Sequence, residues 1–120
     1  MIKIDFDDYN WREVFGCAGD VEGMCNSADV RPARPDSDVS LAPFGRVNVE
    51  ELYAISEGEN DGATWLAYGK LKDGRFFFLS AGCDCTGWDC QSGGHAFVAD
   101  SDVELLQFGI DLHEKTRLGI

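Results

Sequence analysis

The chain has 120 residues, 44% hydrophobic and 12% aromatic, with a formal net charge of −12. Such a composition excludes a disordered chain and allows one domain with a buried core. The charge opposes direct binding to nucleic acid or to an anionic membrane, and no apolar run reaches the roughly 20 residues of a membrane span.

The opening MIKIDFDD turns acidic at once and lacks the basic-then-apolar order of a signal peptide, so a cytoplasmic chain is expected. Ile2, Ile4 and Phe6 alternate with polar residues, as in a short strand or extended arm. Asp7 or Asp8 then caps a helix through about Cys17, with Trp11, Val14, Phe15 and Ala18 on one side. Residues 19–40 have no clear period and read as a long loop. Asn48 can cap a second helix, with Glu50 and Glu51 in its first turn and an end near Glu57–Gly58.

After the polar turn EGENDG, the runs TWLAYGKLK and RFFFLSA are joined by Asp73–Gly74, a strong hairpin signal. HAFVAD supplies a further strand at about 95–100. Ser101 with Glu104, and then Asp111 with Glu114, mark the starts of two short helices closed by Gly109 and Gly119. The expected architecture is α+β in a single domain spanning 1–120. It has a small antiparallel sheet, built on a central hairpin at 64–81 and the strand at 95–100, with helices packed against it.

The stretch SAGCDCTGWDCQSGGH, residues 80–95, concentrates the candidate chemistry. Cys83, Cys85, Cys90 and His95 are donors suited to tetrahedral zinc, which makes a zinc-stabilised domain one alternative. Against it, Cys83 and Cys85 are separated by one residue and point to opposite faces if extended. A zinc knuckle has two residues in that gap and its histidine in third place. The expectation is therefore no bound metal or cofactor. A Cys83–Cys90 disulfide fits a tight loop, but five cysteines in a reducing compartment should be thiols.

A thiol enzyme would pair one cysteine with His95 or His113 as base, yet nothing in the spacing fixes that geometry. Nucleotide-loop, Gly-x-Ser-x-Gly and HExxH patterns are missing. The expectation is a protein that is not an enzyme. Gly82, Gly87, Gly93 and Gly94 would let the loop fold back through positive φ. Asp84, Thr86 and Asp89 can satisfy its amides, and Trp88 either packs in the core or stands out as an anchor.

The acids are locally unbalanced. Residues 47–62 hold Glu50, Glu51, Glu57, Glu59 and Asp61 without Lys or Arg, and residues 76–114 hold seven more acids, again without either. Glu57, Glu59 and Asp61 precede the first hairpin strand, whereas Asp84, Trp88 and Asp89 follow the second. An antiparallel hairpin brings these segments to one end of the sheet. An aromatic anchor among carboxylates suits a basic protein surface, such as the groove of a nucleic-acid-binding protein. The plain alternative is that the acids only solvate a turn.

The segments SEGENDGATWL, KDGRFFFLSAGCD, TGWDCQSGG and VADS resemble a group of small proteins from bacteria and their phages, over about residues 39–120. In that group an aromatic residue usually stands at position 85, so Cys85 is a departure that weakens a shared zinc site. The group brings no established activity. Its phage association implies an anti-defence role of the anti-CRISPR type, with an acidic inhibitor imitating nucleic acid in the host cytoplasm.

Overall fold

A computed structural model describes residues 29–59, 63–84 and 91–120. The fold is α+β, with a five-stranded sheet in the order β1-β5-β4-β3-β2. The strands are β1 (Asp29–Pro32), β2 (Val49–Ser56), β3 (Trp65–Leu71), β4 (Phe76–Asp84) and β5 (Gln91–Ala99). Helix α1 is one α turn, Asp102–Glu104, that widens into a π turn over Leu105–Gly109, and α2 spans Leu112–Leu118. None of the helices in the described residues is long and apolar enough to cross a membrane.

The expected hairpin is present: β3 and β4 pair antiparallel from Trp65↔Ala81 to Lys70↔Phe76. At its turn Gly74 takes φ +97°, and Arg75 N–H returns to Asp73 Oδ1 at 3.1 Å. Central β4 is covered on both faces, which explains its unbroken apolar run. Phe77, Phe78, Leu79 and Ala81 are all fully buried.

One face of the sheet packs Leu52, Trp65, Phe77, Leu79 and Val98 against Val39 and Phe44 from the irregular segment before β2. Arg75 pins that segment. Its Nη1 donates to Ser40 O and Ala42 O, both at 2.9 Å, and its guanidinium lies 5.9 Å from the Phe44 ring centroid. The other face packs Leu66, Tyr68, Phe78 and Ala99 under Leu105, Ile110 and Leu118 of the helical layer. Both expected helix starts are found. Ser101 Oγ accepts from Glu104 N–H, and Asp111 with Glu114 forms a complete capping box before a left-handed Gly119.

Three expectations are corrected. Residues 49–56 form edge strand β2, not a helix, and Asn48 Oδ1 accepts from Gly45 N–H instead of capping one. Two register irregularities in β2, between Val49 and Glu51 and between Leu52 and Ala54, explain the difference. Val49, Leu52 and Ile55 therefore reach one core at three-residue spacing, which imitates a helix. Second, Asp29–Pro32, expected in a loop, pairs parallel with β5, so the sheet is mixed rather than purely antiparallel. Third, Gly82, Gly93 and Gly94 lie within paired strands, because β5 begins at Gln91, so they lengthen the sheet instead of folding a loop back. The strand and helix expected before residue 19 lie outside the described residues.

Candidate functional site

At the end of the sheet where β2 finishes and β3 begins, a short connection carries two exposed glutamates. Ser56 pairs with Leu66, after which Glu57 and Glu59 leave the sheet. Glu59 N–H donates to Ala63 O at 2.9 Å and closes the connection. The approach is tight at Gly58, where a Cβ would fall 2.2 Å from Ala63 O.

Arg117 of α2 grips the base of this connection through carbonyl and hydroxyl oxygens. Its Nη2 donates to Thr64 O at 2.6 Å, Ser56 Oγ at 3.1 Å and Glu57 O at 3.4 Å. Its Nη1 lies 3.4 Å from Thr64 Oγ1, which in turn contacts Ser80 Oγ at 3.3 Å. A cation from α2 thus joins the end of β2 to Thr64 just before β3, and through the Thr64 hydroxyl to Ser80 of β4.

On β4, three residues beyond the Trp65↔Ala81 pair, Asp84 pairs with Gln91 of β5. The antiparallel arrangement puts Asp84 at the same end of the sheet as Glu57 and Glu59. Asp61, Trp88 and Asp89, the other expected contact residues, lie outside the described residues, as do Cys85 and Cys90. Cys83 pairs with Ser92, and His95 with Ser80. Cys83 stands three pairs along the β4–β5 ladder from the Ser80↔His95 pair. Among the described residues, no three His, Cys, Asp or Glu gather closely enough to hold a metal.

No sequence motif points to the aromatic group near the other end. Tyr53 lies edge-on to Tyr68 at 5.2 Å and stacks on Phe76 at 6.5 Å, while Lys70 Nζ sits 5.6 Å from the Phe76 centroid. Tyr68 donates a hydrogen bond to Asp102 and joins β3 to the start of α1. Burial, followed by the hydrogen bond to Asp102, pushes the Tyr68 phenol above its ordinary value of 10. Desolvation, followed by the Glu51 carboxylate, pushes Tyr53 up to about 12. Both phenols are therefore neutral donors near pH 7, suited to holding structure rather than to acid–base work. The available signal is Tyr68 and Phe76 on neighbouring strands, but Tyr53 falls in a segment that Asn48 and the glutamates after it mark as a helix.

No family model, curated protein or solved structure matches this chain.

Proposed function

We propose that this chain is a non-enzymatic binding module that captures a basic protein surface through the acidic end of its sheet. In its sharpest form the module is a phage-type inhibitor that occupies the nucleic-acid groove of its partner. The supporting observation is the Arg117-held connection, which presents exposed Glu57 and Glu59 on a fixed base at the end of the sheet shared with Asp84. A surface ordered before binding loses less entropy on association, and its charge acts mainly on association rate. The −12 net charge extends the same field over the whole molecule.

The test is capture of basic proteins from a host lysate, comparing the parent with the variant E57Q/E59Q/D84N at two salt concentrations. The parent should retain a partner at low salt and lose it as salt rises. The variant should bind about tenfold more weakly at low salt with an unchanged melting temperature. A variant that folds normally and retains the same partner equally well would exclude this end of the sheet as the contact.

A further inference from the structure

Helix α1 departs from regular geometry at one place, and the departure turns an aromatic side chain outward. An α-helix that buries Leu105 would next bury positions 108 and 109. The π turn over Leu105–Gly109 is wider, and it shifts the buried set by one residue. Leu105, Gly109 and Ile110 are buried, while Phe108 is 50% exposed. Gly109 suits the crowded inner position, since a Cβ there would lie 2.9 Å from Leu105 Cδ1 and 3.2 Å from the Cβ atoms of Ala33 and Phe97. Val103 in the first turn of α1 is 74% exposed, and Leu112 at the start of α2 is 80% exposed.

Carboxylates outnumber cations around these residues. Residues 100–114 contain Asp100, Asp102, Glu104, Asp111 and Glu114 and neither Lys nor Arg. Arg34 reaches Glu104 at 2.7 Å but also Asp36 at 3.2 Å, one cation against two carboxylates. Asp102 accepts from the neutral Tyr68 phenol, and Asp111 and Glu114 accept from each other's backbone amides. Such partners hold these carboxylates without cancelling their charge.

This field selects among occupants of the apolar surface. A second copy would bring another −12, and an anionic membrane is repelled in the same way. A segment carrying aliphatic and basic side chains is complementary to both the apolar and the charged character. We propose that the outward side of α1, anchored on Val103 and Phe108, docks an amphipathic cationic segment of another protein. This surface follows Ala99, which pairs with Phe76 at the end of the sheet away from Glu57, so it stands independently of the acidic end.

The test is an NMR titration of the isotope-labelled full chain with two synthetic peptides of equal charge. One is an amphipathic leucine–lysine helix, and the other has lysine as its only non-glycine residue. The leucine–lysine peptide should shift the amides of residues 103–112. V103S/F108S should weaken that binding about tenfold while leaving the lysine–glycine peptide unaffected. E57Q/E59Q should leave the leucine–lysine contact at residues 103–112 in place, which separates this surface from the acidic end. Shifts confined to other residues, or equal affinity in V103S/F108S, would overturn the proposal. So would a surface engaged only by self-association or by anionic vesicles. Mapping on the unaltered chain decides the matter even if the double variant fails to fold.

Discussion

Arg75 shows how one buried charge can organise a segment without regular structure. Its side chain is 6% exposed and satisfied on three sides, by Asp73, by two carbonyls and by the face of Phe44. Arg75→Ala should cost about 2–3 kcal/mol in urea denaturation, because charge-assisted bonds are lost and two carbonyls lose their donor. Arg75→Lys should recover only part of this, since an ammonium cannot reproduce the planar fork. The same guanidinium holds the Asp73 carboxyl below its ordinary 3.8. A depressed carboxylate contributes stability above its unfolded pKa and loses it as pH falls through the folded one. The stability gap between the parent and Asp73→Asn should therefore close as pH is lowered below about 4. Tyr53 works in the opposite direction, with its phenol raised from 10 to about 12. Its contribution is complete below pH 10 and is lost as pH rises toward 12, so Tyr53→Phe should flatten the alkaline limb of a pH–stability curve. Neither role is legible in the sequence: the carbonyl partners of Arg75 are distant in the chain, and Tyr53 sits on a strand whose spacing imitates a helix.

At the scale of elements, local signals are legible where they are self-contained. The Asp73–Gly74 turn and the Asp111–Glu114 capping box each sit within a few residues, and both appear as expected. Strand β2 is hidden because its bulges convert the two-residue period of a strand into the three-residue spacing of Val49, Leu52 and Ile55. Strand β1 is hidden for a different reason: its four residues gain their order from parallel pairing with β5, far along the chain. The π turn likewise depends on tertiary crowding at Gly109 by Ala33 and Phe97. Gly109→Ala should destabilise the chain by about 1–3 kcal/mol through overpacking, measurable as a lower denaturation midpoint with an unchanged m-value. A neutral Gly109→Ala would mean that the crowding does not hold the π turn in place.

For the molecule as a whole, charge is distributed more informatively than the cysteines. The acidic positions Glu57, Glu59 and Asp84 share one end of the sheet, whereas Cys83 and His95 stand three pairs apart along the β4–β5 ladder. Elemental analysis of protein purified without chelator should accordingly find zinc well below stoichiometry. About one zinc per chain, lost on Cys83→Ser, would favour the zinc-stabilised alternative. The acidic end of the sheet is legible from the sequence to the extent that hairpin topology dictates it. The Arg117 grip beneath it is not, since it joins residues more than fifty positions apart. The most direct measurement is displacement of a labelled oligonucleotide from the captured basic partner, followed by fluorescence anisotropy. The parent chain should release the oligonucleotide in a salt-sensitive manner, and E57Q/E59Q/D84N should require about tenfold more protein for the same release. Formation of a ternary complex with the oligonucleotide still bound, or equal potency of the parent and the variant, would contradict the account.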